Sequence, residues 1–476
     1  MSQAGKILSM DQALQAYQQE LRKAGMKGDA ILVRNPSYLA SPVEIYPLAD
    51  IPEKPLPRVR GMVMDMDGTT TTTEPLCLHS LEWMVRQVSG LRRHPDWPGL
   101  DQDRDYPNII GNSTTKHVEY LLETYEDIFD RKSCLEAFIH AAAWTLAFGR
   151  DPGRKNELRA NIAALGLGGL WQDGSFQALA EGMHDHYDLR ELDKLARRLA
   201  GEMIHEFRTE SLAERVRASI DIYYMRYHMI LADIAAGHGK DRAREILGSA
   251  DASLIEPMPA IGIMLAAARG FLGSDLALFQ EMLEAHLREN GMLPGTYNAD
   301  QAREKLAQLG RYLEVNPLSL AIVTSSIAYE AGIVLDEIFS VLRRQIQDWP
   351  VSREKKKMIL RHFAAPENLY DAIITASDSS EIRLKPHRDL YAIALHTMGL
   401  APEEYRYVVG FEDSESGVVA IRAAGIGQAV AVPFVSTTGH DLSAAAAIAP
   451  GQMPEVLLLR NCYLDEKAVS LALAEE

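Results

Sequence analysis

The sequence predicts an α/β protein: a Rossmann-like parallel sheet core with a large all-helical domain inserted after its first strand. Two observations predict the core. Short runs rich in Val, Ile and Ala end in Asp, Ser, Thr or Gly, as buried strands do at their carboxyl ends. These runs alternate with helical stretches, which implies parallel strands joined by right-handed crossovers. A third observation predicts the insertion: residues 66–319 separate the first run from the second, far beyond a crossover of about 10–12 residues.

The runs are 59–64 before Asp65, 320–323 before Thr324, 372–374 before Thr375 and 407–409 before Gly410, with a fifth at 429–432 that stops at Pro433. In such sheets ligands bind at the carboxyl ends of the strands, where these polar residues sit. The interval after Asp65 reads as helical. Residues 133–148, 189–207, 212–236 and 276–287 carry apolar side chains at helical spacing. Asp151-Pro152-Gly153 and the glycine-rich 166–169 are expected loop breaks, and Leu293-Pro294-Gly295 marks the expected return to the core. The expected organisation is an N-terminal extension at 1–57, a core formed by 58–75 and 292–476, and a helical domain at 76–291.

Composition narrows the class. The 476 residues are enough for about two to four domains. Lys plus Arg number 49 against 66 Asp plus Glu, a net charge of −17 with no basic block, which argues against a nucleic-acid or anionic-membrane surface. The 3 cysteines, Cys77, Cys134 and Cys462, are widely spaced with no CxxC, which disfavours a disulfide scaffold or structural zinc. The polar N-terminus lacks a secretory h-region, and the most apolar stretch, 258–273, is too short to span a bilayer and carries Arg269. A soluble, cytoplasmic protein is expected.

Candidate chemistry lies at successive strand ends. Asp65-Met66-Asp67-Gly68-Thr69 places two carboxylates two residues apart before a turn, so both can enter one small site. One could attack an electrophile while the other moves a proton, with a divalent cation nearby to offset their repulsion. A strand running into an Asp-Gly turn is common in α/β folds, so the motif alone leaves the question open. Thr324-Ser325-Ser326 offers hydroxyls and turn amides to phosphate oxygens, or a simple helix N-cap. Arg383-Leu384-Lys385-Pro386 offers an ammonium beside the two aspartates, or a surface lysine before a helix. Gly410-Phe411-Glu412-Asp413-Ser414 offers oxygen ligands for Mg²⁺, or an acidic helix start favoured by the helix dipole. Four such elements in this order are hard to ascribe to chance.

On these residues the chain resembles the haloacid dehalogenase-like (HAD) hydrolase superfamily. Asp65 and Asp67 match its first motif, Thr324 the second, Lys385 the third, and Glu412 with Asp413 the fourth. The match covers roughly residues 58–80 and 292–436. The segments LYDAIITASD, KPHRDLYAIAL and VVGFEDSESGVVAIRAAGI, with Glu74-Pro75-Leu76, look like its phosphatase and beta-phosphoglucomutase-like subgroup. The resemblance implies Asp65 as nucleophile forming an aspartyl-phosphate, and Asp67 as proton donor and then base. It implies phosphoryl binding by Thr324, Ser325 and Lys385. It also implies a Mg²⁺ site of Asp65, Asp413 and the main-chain carbonyl of Asp67, with Glu412 in support.

The helical insertion sits where the family places a C1-type cap, here enlarged. Ser113 and Lys116, after Ile109-Ile110-Gly111-Asn112, are candidate substrate contacts, and a plain N-cap is as good a reading of Ser113. Cys77 and the run of Thr70, Thr71, Thr72 and Thr73 depart from the subgroup in a segment that contacts substrate in relatives. His184 and His186 read as a solvated helix edge, and His228 with Tyr223, Tyr224, Tyr227 and Met229 as interhelical packing. Three functions follow as expectations. The first is a Mg²⁺-dependent phosphatase of a small phosphorylated metabolite; the second is a phosphomutase with the same core residues. The third makes the enlarged cap and the N-terminal extension a protein-binding platform, and homodimerisation through the cap is left open.

Overall fold

The computed structural model describes residues 9–23, 28–35, 41–91, 97–109, 114–182, 188–249, 253–379, 383–434, 437 and 440–474. Within these, ten strands occur in chain order. They are β1 (Ala30–Arg34), β2 (Val43–Pro47), β3 (Gly61–Asp65), β4 (Thr71–Thr72), β5 (Glu256–Pro257), β6 (Ser319–Val323), β7 (Ala372–Ile374), β8 (Val408–Glu412), β9 (Gln428–Ala431) and β10 (Ala447–Ile448). Six of them form one sheet in the order β10-β9-β8-β3-β6-β7, with every neighbouring pair parallel.

All five residues of β3 and all five of β8 are buried, which is why these strands read as continuous apolar runs rather than alternating ones. In β3, Gly61 lies beside Ser319 of β6 and Val408 of β8, and Asp65 lies beside Val323. The strand order therefore reverses at β3, and a crevice opens at the carboxyl ends of β3, β6 and β8. The five expected strands are present: 372–374 at the expected bounds, three others with ends shifted by one or two residues, and 407–409 extended three residues further, to Glu412. β10, two residues at the sheet edge with Ile448 exposed, is too short to leave a pattern and was not anticipated.

The helical insertion leaves and rejoins the core through a pair of short antiparallel strands. Thr71 of β4 faces Pro257 of β5, and Thr72 faces Glu256. The return to the core thus comes at β5, earlier than Leu293-Pro294-Gly295. The segment after β5, expected in the insertion, packs on the core instead. The helix Ile261–Ala268 is buried at every position. The Leu318 N–H donates to the Ala268 carbonyl at 2.8 Å, Arg269 pairs with Asp371 at 2.9 Å, and Lys355 pairs with Asp275 at 2.7 Å. A two-residue strand carries no periodic signal, and helices on both sides of it share one apolar pattern, so the boundary is silent in the sequence.

Between β4 and β5 the chain is helical. The helix Arg131–Phe148 is apolar nearly all round because it runs through the middle of this domain. Its N-terminus is capped by Asp130, whose carboxylate accepts from the Ser133 N–H at 2.7 Å. Asp151-Pro152-Gly153 is a helix start rather than a plain loop: Asp151 caps Pro152–Ala164, with Pro152 in the first turn. The helix expected over 189–207 ends at Met203, and the one expected over 212–236 is Leu212–Ala235, opened by a Ser211/Glu214 capping box.

The extension at 1–57 had no reading in the sequence. The structure places the β1–β2 hairpin against the segment that carries Lys385. Arg383 pairs with Glu44 at 2.6 Å and bonds to the Tyr46 hydroxyl, His387 Nε2 meets Asn35 Oδ1 at 2.9 Å, and Arg422 donates to the Ala49 carbonyl at 2.8 Å. The three cysteines are free, and among the described residues no helix is long and apolar enough to cross a membrane.

One polar cluster is buried inside the insertion. Asp221 accepts from Arg154 and, at 2.7 Å, from Asn161 Nδ2. Burial still pushes the Asp221 carboxyl up to about 6, against the pull of Arg154. The folded state therefore binds this proton more tightly than the unfolded chain, where a carboxyl titrates near 3.9. Stability supported by that proton is lost as pH rises from about 4 through about 6. Arg154→Met leaves the buried carboxylate unpaired, so the variant should be about 3–5 kcal/mol less stable than the parent at pH 8. The gap should narrow as pH falls towards 4, where a protonated Asp221 needs no cation; urea unfolding at the two pH values checks this.

Candidate active site

The chain after β3 turns sharply, and its own polar groups hold the turn. The Thr70 and Thr71 N–H groups both donate to the Met66 carbonyl at 2.9 Å, and the Gly68 N–H donates to the Thr71 carbonyl at 2.8 Å. Gly68 has φ +85°, and a Cβ there would overlap the Asp413 carboxylate and crowd Phe434 at 2.9 Å. Glycine is required for both reasons.

The four hydroxyls of the threonine run act within this loop. Thr70 bonds the Asp65 carbonyl at 2.6 Å, Thr71 the Glu256 carbonyl at 3.0 Å, Thr72 the Glu74 carboxylate, and Thr73 the Asp67 Oδ1 at 2.7 Å. Of the four, only Thr73 lines the cavity described below. The departure from the subgroup is thus mainly a device for fixing the loop.

Four strand ends meet there. Lys385 Nζ donates to Asp65 Oδ1, to Glu412 Oε1 at 2.7 Å and to the Val323 carbonyl at 3.3 Å, which uses all three ammonium protons. The Lys385-Pro386 bond is cis. Glu412 also accepts from the Tyr391 hydroxyl at 3.0 Å, the Asp413 N–H at 3.1 Å and the Ser414 hydroxyl at 2.9 Å. Both its oxygens are therefore engaged, and it holds Lys385 and the Asp413 turn in place. Asp67 Oδ2 accepts from the hydroxyls of Thr324 at 3.2 Å and Ser326 at 3.3 Å. Thr324 is buried and turned to Asp67, whereas Ser325 is exposed to the cavity.

The electrostatics follow from burial. Asp65, Glu412 and Asp413 each offer an oxygen within 4.8 Å of one another, and all three are buried. Burial, then the charge of Glu412, pushes the Asp65 carboxyl well above its ordinary range, with Lys385 opposing. Burial, then Glu412 and Asp65, does the same to Asp413. Burial raises Asp67 against the hydrogen bonds from Thr73 and Thr324. Burial works against the Lys385 ammonium, but the carboxylates of Asp65 and Glu412 outweigh it and hold its proton more firmly.

These groups form the floor of a cavity of about 350 Å³, roofed by the insertion. Asp65, Asp67, Thr324, Ser325, Lys385 and Asp413 all line it. The motifs of β3, β6, β7 and β8 thus converge on one side of a parallel sheet whose order reverses at β3. The fold is a Rossmann-like parallel sheet with a large helical insertion, the architecture that the resemblance to the haloacid dehalogenase-like superfamily implies. The large helical domain between β4 and β5 stands in the place of the cap of a HAD-like core.

No protein-family model and no curated protein matches the chain. Among solved structures, CbbY from Rhodobacter sphaeroides in complex with phosphate is similar at 13% identity and TM-score 0.36, over 84% of this chain and 96% of that one. A beta-phosphoglucomutase from Clostridium difficile is similar at 11% identity and TM-score 0.31, over 87% and 99%. A HAD family hydrolase from Deinococcus radiodurans, with bound phosphate and sodium, is similar at 13% identity and TM-score 0.29, over 88% and 97%. Sheet order and motif placement, not these distant similarities, decide the fold.

The cap contacts are corrected in part. Ser113 lies outside the described residues, as do His184 and His186. Lys116 is exposed and does not line the cavity, whereas its neighbours Thr114, Thr115 and His117 on the helix Thr114–Thr124 do. Tyr223, Tyr224 and Tyr227, read from sequence as packing, line the cavity from the helix Leu212–Ala235. His228 does pack among them and also pairs with Glu330 at 2.8 Å across the boundary between cap and core. Burial pushes the Cys77 thiol up to about 12, so it stays a thiol under the Tyr223 hydroxyl, 3.6 Å away. Tyr391 and Glu330 were missed, since a lone hydroxyl or carboxylate on a helix carries no spacing signal; Ser326 and Thr73, named within longer motifs, turn their hydroxyls to Asp67.

Gly68→Ala should cost about 1–2 kcal/mol from the left-handed backbone alone. It should also displace the Asp413 carboxylate, so urea unfolding should show the loss and a crystal structure the displacement.

Proposed function

We propose that this chain is a Mg²⁺-dependent phosphatase acting on a small phosphorylated molecule through an aspartyl-phosphate. The observation that carries the reading is the juxtaposition of Asp65, Asp67, Lys385 and Asp413 on the floor of one cavity. A nucleophile, a proton carrier, an ammonium and a metal-type carboxylate are what phosphoryl transfer by positioning and charge neutralisation needs.

The donor set fits magnesium. Asp65 and Asp413 present hard carboxylate oxygens, the main-chain carbonyl of Asp67 lies between them in sequence, and Glu412 stands behind with its own oxygens engaged. Burial first, and then the neighbouring carboxylates that one ammonium does not balance, raise the carboxyls of Asp65 and Asp413. When bound, the ion supplies charge neutralisation and orientation of phosphoryl oxygens.

The protein's part runs in two steps. Asp65 attacks phosphorus; the bond from phosphorus to the leaving oxygen breaks, and Asp67 gives that oxygen a proton. Water then attacks the phosphorus of the aspartyl-phosphate; Asp67 takes a proton from it, and inorganic phosphate leaves as Asp65 is restored. Burial raises the Asp67 carboxyl, the direction that suits a general acid. Lys385 keeps Asp65 oriented and offsets charge on the transferred group, and Ser325 is placed to meet a phosphoryl oxygen.

Asp65→Asn should reduce release of phosphate from 4-nitrophenyl phosphate to background, and Asp67→Asn should lower it by about 10²–10⁴-fold. Assaying isomer formation from hexose 1-phosphates in parallel separates hydrolysis from a mutase. Mg²⁺ at about 100 times its Kd should stabilise the parent protein by about 2.7 kcal/mol in urea. Asp413→Asn should remove most of that gain.

A further inference from the structure

We infer that the leaving group is an amino alcohol: the cap half of the cavity is a binding site for an organic ammonium. This rests on the phosphatase reading and goes beyond it to the substrate class.

The charge inventory of the cavity is one-sided. Among its described lining residues, Lys385 is the one Lys or Arg, and its three protons are committed to Asp65, Glu412 and the Val323 carbonyl. A second phosphate or a carboxylate on the leaving group would find no free lysine or arginine to meet it, and His117 is the one imidazole among the described lining residues. Burying such an anion unpaired is unfavourable.

The groups that face the leaving group are instead those that attract a cation. Glu330, at the start of the helix Ala328–Gln347, lines the cavity and is buried. One of its oxygens meets His228 Nε2 at 2.8 Å, and its other oxygen makes no hydrogen bond among the described residues. Three tyrosines complete the wall. The Tyr223 and Tyr227 rings stack at 5.6 Å and 29°, and Tyr224 meets Tyr223 edge-on at 5.1 Å. Aromatic faces beside a buried carboxylate form an ammonium cage, because the ring quadrupole and the anion act in the same sense. Tyr224 already carries the Arg154 guanidinium over its ring at 4.1 Å, and Arg154 is not among the lining residues; Tyr223 and Tyr227 cover one face of each other, which leaves the opposite face of each for a ligand. A cavity of about 350 Å³ is at the small end of ligand sites, which suits a phosphoryl group with a compact alcohol.

The test uses three esters of similar size with Mg²⁺: 2-aminoethyl phosphate, 2-hydroxyethyl phosphate and phosphoglycolate, whose leaving groups are cationic, neutral and anionic. The amino ester should exceed the hydroxy ester in kcat/KM by about tenfold, the size of one desolvated cation–π and ion-pair contact, and the anionic ester should rank last. Glu330→Gln should bring the amino-to-hydroxy ratio towards one. Tyr227→Leu should do likewise, while Tyr227→Phe, which keeps the ring face, should preserve the ratio. The same order should appear in calorimetric titrations of the Asp65→Asn protein, which read binding without turnover. Preference for the anionic ester, or a ratio that Glu330→Gln leaves unmoved, would overturn the inference. If the parent protein fails to hydrolyse 4-nitrophenyl phosphate, the phosphatase reading falls, and the titrations still decide the cation preference.

Discussion

Three carboxylates and one ammonium share a buried pocket at the end of β3, and the rest of the structure answers to that imbalance. Asp65 and Asp413 are each 5% exposed and Glu412 1%. Charges so placed are tolerable only with their hydrogen bonds filled and their geometry fixed. Glu412 is satisfied by Lys385, Tyr391, Ser414 and a main-chain N–H, so it acts as the fixed partner. Asp65 and Asp413 are left facing the cavity with raised carboxyls. A pocket that disfavours its own ionised aspartates is the one a divalent cation would stabilise most, and the proposed chemistry rests on that property.

The scaffold places those charges by topology and then braces them locally. Reversal of strand order at β3 brings the ends of β6 and β8 to either side of Asp65. Threonine hydroxyls knit the loop after β3, and the N-terminal hairpin clamps the segment around Lys385 through Glu44, Tyr46 and Asn35. Above this floor the two connections between cap and core pair with each other as β4 and β5, and His228 meets Glu330 across the boundary. The same contact that joins the two domains sets Glu330 at the cavity wall.

Much of the core was legible because its signals are local. A buried parallel strand leaves an apolar run, and the motif residues follow such runs directly, so Asp65, Asp67, Thr324, Lys385, Glu412 and Asp413 could be named in advance and do converge. What stayed hidden depends on long-range pairing. The two-residue strands β4 and β5 have no period, so the return to the core was placed near 293–295 instead of at 256–257. The tyrosines of the helix Leu212–Ala235 have the spacing of core residues; only the cavity above them shows their second role. Lys116 was expected at the substrate because it follows a cap-like loop, and the helix turns it to solvent while His117, one position on, faces in. The bracing by the first 57 residues joins positions far apart in the chain, such as Asn35 with His387, which no pattern in either segment announces.

The central claim is that Asp65 carries the phosphoryl group. Acid quenching of the full-length protein during turnover with a radiolabelled phosphomonoester and Mg²⁺, followed by peptide mapping, tests it most directly. The account predicts label on the peptide that contains Asp65, stable in acid and released at alkaline pH as an acyl phosphate is. Turnover with no covalent label, or label on any other residue, would contradict it.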